Sequence, residues 1–154
     1  MRFRLPILLA IALLCGCTND DIIAQTMADE KLNITIGDES RTVMLVDNVG
    51  TRALMQALQA GSITFAAHDY GDFEKVGALG QSLPTDDHKT TTSAGDVVLY
   101  NGNNICIFYG SNSWSYTRIG RLENMSADEV RRFVRAGEGQ VEVTLSRQSV
   151  GSTK

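Results

Sequence analysis

Asp96-Val97-Val98-Leu99-Tyr100-Asn101-Gly102-Asn103-Asn104-Ile105-Cys106-Ile107-Phe108-Tyr109 is the stretch on which the fold turns. Two apolar runs, rich in β-branched and aromatic residues, flank an Asn-Gly turn, the arrangement of a β-hairpin. The strands expected are Asp96 to Tyr100 and Ile105 to Tyr109. The second is apolar on both sides, so Cys106 reads as a buried thiol and not as a nucleophile.

Working outward, the same period recurs. Leu32, Ile34 and Ile36 alternate with Lys31, Asn33 and Thr35, a half-buried strand. Gly37-Asp38-Glu39-Ser40 turns the chain into a second strand, Arg41 to Asp47, whose unbroken Val43-Met44-Leu45-Val46 run predicts cover on both faces. Further strands are expected at Ser62 to Ala67, Tyr116 to Leu122 and Gln140 to Ser146. Asp47 or Asn48 can cap a helix with Val49, Ala53, Leu54, Ala57 and Leu58 on one stripe, ending near Gly61. A capping box of Ser126 and Glu129 starts a second helix, which buries Val130, Phe133 and Val134 and stops at Gly137, with Arg131, Arg132 and Arg135 opposite. Short, closely spaced strands with two short helices predict a mainly β domain, an antiparallel barrel or sandwich with helices plugging its ends. Gly77 to Ala94, rich in Gly, Ser, Thr and Asp, is too long for an ordinary hairpin loop and is expected to wall a site.

The ends carry different information. Arg2 and Arg4, the apolar run Leu5 to Leu14 and the box Leu14-Cys15-Gly16-Cys17 form a bacterial lipoprotein leader. The run is far short of the ~20 residues of a membrane span. Residues 1–16 are therefore expected to be removed, Cys17 to carry lipid and 17–30 to act as a tether. The domain is expected over 31–147 and a tail over 148–154. The partner implied is a membrane, reached through the lipid on Cys17, and the location is the cell envelope, periplasmic or on the outer surface. With 14 Lys plus Arg against 18 Asp plus Glu, the chain has a formal charge of −4, and loss of the leader makes it more acidic, which argues against nucleic acid. The three cysteines leave only Cys106 inside the domain, so no internal disulfide is expected.

Two blocks carry more than periodicity. Asp69-Tyr70-Gly71-Asp72-Phe73-Glu74-Lys75-Val76-Gly77 runs on to Ser82-Leu83-Pro84-Thr85, and Ala94-Gly95-Asp96-Val97-Val98-Leu99-Tyr100 runs on to Ile107-Phe108-Tyr109-Gly110. With Thr51-Arg52-Ala53-Leu54 and Asn112-Ser113-Trp114-Ser115-Tyr116-Thr117-Arg118, they resemble the bacterial cyclophilin-like-fold family, formerly a domain of unknown function, over roughly Leu32 to Leu145. The resemblance implies a closed antiparallel barrel of about eight strands with two short helices. It does not imply proline isomerisation. Cyclophilin isomerases carry a Phe-His-Arg stretch and a Gln-Gly-Gly-Asp-Phe stretch. Here His68 stands between Ala67 and Asp69, and Gly71-Asp72-Phe73 follows Asp69 and Tyr70.

Other chemistry is weakly signalled. The two histidines, His68 and His88, lack metal-ligand spacing, no Gly-x-Ser-x-Gly elbow surrounds a serine, and Gly77 and Gly80 do not form a phosphate loop. No metal and no cofactor is expected. The candidate ligand site is aromatic and cationic. In an extended segment Trp114, Tyr116 and Arg118 share one face, offering stacking area and a fixed cation for a planar or anionic ligand. Tyr70, Glu74 and Tyr109, from the two blocks, complete the set if the segments converge. The plainer alternative is that Trp114 and Tyr116 pack the barrel and Arg118 pairs with a carboxylate such as Glu74. The function expected is a lipid-anchored envelope protein whose barrel binds a small molecule or peptide without chemistry. The rivals are a divergent prolyl isomerase and an accessory to a flavodoxin-like redox protein.

Overall fold

The computed structural model describes residues 30–149. The leader, Cys17, most of the tether and residues 150–154 of the tail lie outside the described residues. Nine strands form in chain order: β1 Glu30–Ile36, β2 Glu39–Leu45, β3 Ile63–Tyr70, β4 Glu74–Ala78, β5 His88–Thr91, β6 Asp96–Tyr100, β7 Asn104–Phe108, β8 Ser113–Leu122 and β9 Val141–Ser149. Helix α1 covers Val49–Ala57 and α2 Ala127–Phe133.

The sheet runs β2-β1-β9-β3-β4-β7-β6-β8, and pairing of β2 with β8 closes it into an eight-stranded antiparallel barrel. β5 is an extra strand on the free edge of β8, with Thr90 opposite Trp114. The expected β6–β7 hairpin forms, with Tyr100 opposite Asn104. Asn101 and Gly102 both take positive φ, 51° and 73°, as a primed turn requires.

Alternation sends Leu32, Ile34 and Ile36 of β1, Val97 and Leu99 of β6, Ile105 and Ile107 of β7, and Val143 and Leu145 of β9 into one buried core. Helix α1 packs against β8. The Asn48 side chain caps it by accepting from the Thr51 amide, at 2.9 Å, and donates to the Arg118 carbonyl at 2.6 Å. That anchor sets the rotation of the helix. Thr51, Leu54, Met55 and Leu58 turn inward, while Val49, expected on the buried stripe, is exposed. Helix α2 starts at the expected capping box and buries Val130, Phe133 and Val134, but it ends before Arg135, whose φ is 53°.

Two readings of the local sequence are corrected, and one strand goes unread in it. Met44 and Val46 are 61% and 41% exposed, because the outer face of β2 meets no second layer. The Gly77–Ala94 stretch is not one loop: Gly77 and Ala78 complete β4, and His88–Thr91 is β5. β4 itself escapes the apolar pattern because its buried residues include Glu74 and Lys75.

A second buried cluster lies on the opposite face of the same strands. Val98, Cys106, Phe108 and Tyr116 pack together with Phe73, Val76 and Tyr100, so β6 and β7 are covered on both sides. This outer cluster positions the candidate site.

Candidate functional site

On the outer face of the barrel, aromatic rings form a continuous chain. Tyr70 meets Phe73 edge-on at 6.0 Å, and Phe73 lies parallel to Phe108 at 6.1 Å. Phe108 contacts Tyr116 at 5.6 Å, and Tyr116 contacts Tyr100 at 6.0 Å, both edge-on. Over this floor opens a cavity of about 450 Å³, within the range of small-molecule sites. His68 and Tyr70 of β3, Glu74 and Val76 of β4, Tyr100 of β6 and Asn104 of β7 line one part of it. Asn112, Trp114 and Tyr116 line the rest. The Asn112 amide donates to the Tyr116 hydroxyl at 2.8 Å and fixes that ring's polar end.

Glu74 is the unusual member. β4 places it opposite Tyr70 on one side and Phe108 on the other, and it is only 6% exposed. Its Oε2 is buried and has no hydrogen-bond partner. Burial pushes its carboxyl up to about 7, against a smaller downward pull from the Cys106 thiol, which donates to it. Burial and the neighbouring Glu74 in turn hold the Cys106 thiol far above its ordinary range, so this cysteine is inert at neutral pH. Trp114 stands at the other extreme, 59% exposed at the edge of the cavity. It is therefore not a core residue.

The structure divides the six residues singled out from sequence. Tyr70, Glu74, Trp114 and Tyr116 share the cavity; Tyr109 and Arg118 are not among its lining residues. Arg118 donates to Asp96 at 3.1 Å, and Arg121 reaches the same carboxylate oxygen at 3.0 Å. The reason is a bulge between Val97 and Val98, which sets Asp96 opposite Arg121 and Val98 opposite Arg118. Arg118 thus pairs with Asp96, not with Glu74, and neither arginine is free over the cavity. Tyr109 turns the other way, into the main core. Its hydroxyl donates to Asp69 at 2.9 Å, and Arg131 of α2 covers its ring at 5.1 Å from the centroid.

Sequence reasoning missed His68, Val76, Tyr100, Asn104 and Asn112 as cavity residues. Tyr100 was legible as the end of an apolar strand, but its outward face was not. Asp69, the neighbour of His68, is engaged by Lys75 at 2.9 Å, by Tyr109 and by the amides of Gly137 and Gly139. Among the described residues, no group of three or more His, Cys, Asp or Glu is gathered to hold a metal ion.

The comparisons agree with this architecture. A solution structure of the hypothetical protein AF2241 from Archaeoglobus fulgidus is similar, with a TM-score of 0.59 and 21% identity over 78% of this chain and 95% of that one. A structure of McbB in complex with tryptophan matches with a TM-score of 0.54 and 15% identity over 80% of this chain, which spans 46% of McbB. At such identities the likeness is one of fold. No curated protein matches the sequence significantly. The sequence model of the cyclophilin-like family, however, matches residues 34–146, which takes in both helices and at least part of every strand that closes the barrel, and so the chain belongs to the cyclophilin-like family.

Proposed function

We propose that this protein is a lipid-anchored binding module of the cell envelope, and that the outer-face cavity holds a small planar molecule without reacting with it. One observation carries the reading: a buried carboxylate oxygen without a partner lies beside a cavity walled by aromatic side chains, one of them the exposed Trp114. A buried polar group left unpaired costs the fold about 1–3 kcal/mol, and a bound donor removes that cost. The exposed tryptophan is likewise apolar surface that a ligand would cover. McbB, part of which is similar in fold, is known in complex with tryptophan, whose indole ring is planar.

Trp114 is the chain's single tryptophan, so its fluorescence reports directly on the cavity. Titration with a panel of small aromatic compounds should change that emission saturably. Because the side chain is exposed, Trp114→Ala should leave stability within about 0.5 kcal/mol of the parent. It should weaken binding roughly tenfold, measured by calorimetry, through loss of one stacking wall. A panel without any saturable response, or undiminished binding by Trp114→Ala, would reject the site.

Anchoring rests on the Gly16-Cys17 box. Cys17→Ser should give an unprocessed or soluble product in membrane fractionation. A variant that matured and partitioned like the parent would refute lipidation.

A further inference from the structure

We propose that the cavity selects organic amines, with the cationic nitrogen held against Glu74 and the apolar part lying between Tyr70, Trp114 and Tyr116. The inference rests on the cavity being a ligand site and names the class of ligand.

The argument is one of charge complementarity. Glu74 is the one carboxylate among the lining residues, and no lysine or arginine joins it there. The cations close in sequence are committed elsewhere: Lys75 is fully buried against Asp69, and Arg118 and Arg121 both bind Asp96. Each of the two amides that an anion would need has one donor already engaged. Asn104 donates to the Asn103 side chain at 2.7 Å, and Asn112 donates to Tyr116. The charged group a ligand meets there is then the Glu74 carboxylate, with Tyr and Trp rings around it, surroundings that favour an ammonium group. The ammonium also supplies the N–H donor that Glu74 Oε2 lacks.

Proton linkage follows with a definite sign. Around Glu74 stand His68 and Tyr70 from β3, Cys106 from β7, Tyr100 from β6 and Tyr116 from β8. An ammonium ligand binds the ionised carboxylate. With the free Glu74 carboxyl at about 7, affinity should fall as pH drops through that value, and binding near pH 7 should release protons from Glu74. His68 lines the same cavity, so its contribution must be separated.

The test uses three probes of similar shape: phenethylamine, 2-phenylethanol and phenylacetate, which are cationic, neutral and anionic between pH 6 and 8. Affinities come from Trp114 fluorescence and calorimetry. Phenethylamine should bind about tenfold tighter than 2-phenylethanol at pH 8, with phenylacetate weakest, as expected for a charge-assisted contact. Between pH 8 and 6 its affinity should fall about tenfold, following the ionised fraction of a group that titrates near 7. Glu74→Gln should abolish both the preference and the pH dependence while keeping the affinity for 2-phenylethanol. His68→Gln should keep both. Equal binding of the three probes, or a preference for phenylacetate, overturns the amine assignment and leaves the cavity as a ligand site. Silence toward all three at millimolar concentration overturns the assignment, and the panel titration then decides whether the cavity is a site at all. A pH dependence that vanishes in His68→Gln and survives in Glu74→Gln overturns the role of Glu74.

Discussion

Replacing Asp69→Ala should cost the fold about 3–5 kcal/mol in urea denaturation at pH 7, the penalty for stranding a buried charge. The stranded charge is Lys75, fully buried, with its ammonium 2.9 Å from Asp69 Oδ2. Without that carboxylate, the ammonium keeps only the Gly139 carbonyl at 2.5 Å. The same carboxylate accepts from the Tyr109 hydroxyl and from the amides of Gly137 and Gly139, at 2.9 to 3.1 Å. One side chain therefore ties the loop after α2 to the barrel. The double variant Asp69→Ala/Lys75→Met should recover part of the loss, since removing both charges leaves no uncompensated ion. A loss below about 1 kcal/mol for the single variant would show that water reaches Lys75.

The pH dependence of this pair has a worked sign. Burial pushes the Asp69 carboxyl up, but Lys75, the two glycine amides and Tyr109 together outweigh it and hold it at about 2. The unfolded chain titrates this group near 3.8. The stabilisation is therefore complete above about pH 4 and is lost as pH falls toward 2. Asp69→Ala should lack that part of the acid transition.

Glu74 titrates in the opposite sense, and Glu74→Gln should raise stability at pH 8, relative to the parent at the same pH, by about 2 kcal/mol. Burial lifts its folded carboxyl to about 7, above the 4.5 of the unfolded chain, so between these values the folded protein holds the extra proton. Stability of the parent should fall as pH rises from about 4.5 to 7, with the full cost present above 7. Glutamine has the same shape without the charge, so the advantage of the variant should be smaller at pH 4 than at pH 8. Urea midpoints at the two pH values measure it. An advantage that is the same at both, or absent at both, would mean that the carboxyl of Glu74 titrates normally.

Asp69 and Glu74 thus separate two uses of a carboxylate on adjacent strands of one barrel. Asp69 is surrounded by donors and acts as a structural tie. Glu74 faces aromatic rings and a thiol and retains an oxygen without a partner. Their neighbours in the chain do not distinguish them: both lie in the Asp69–Gly77 block, separated by a turn.

Much of the barrel was legible locally. The β6–β7 hairpin announces itself through Asn101-Gly102 because only a few residue types accept positive φ at both positions. β1 is legible because Leu32, Ile34 and Ile36 obey the period of two, and α2 because Ser126 and Glu129 satisfy each other's backbone amides, at 3.3 and 2.7 Å. β4 and β5 were not legible. The first buries Glu74 and Lys75, whose partners are supplied by other strands and loops, and the second is a short polar strand held by the edge of β8.

The candidate site shows the same division. Tyr70, Glu74, Trp114 and Tyr116 could be named from sequence as residues worth watching, and they do meet. Arg118 could not be assigned correctly, since the bulge that delivers it to Asp96 arises from the pairing of β6 with β8. Tyr109 could not either, because Phe108 takes the outward position and turns it into the core. By itself the sequence determined the strands with clean alternation, the two helix starts, the turn residues and the family. These depend on side chains within a few residues of one another. Only the tertiary structure decided which carboxylate is tied and which is left without a partner, because the partners of Asp69 and the ring surroundings of Glu74 come from segments distant in the chain.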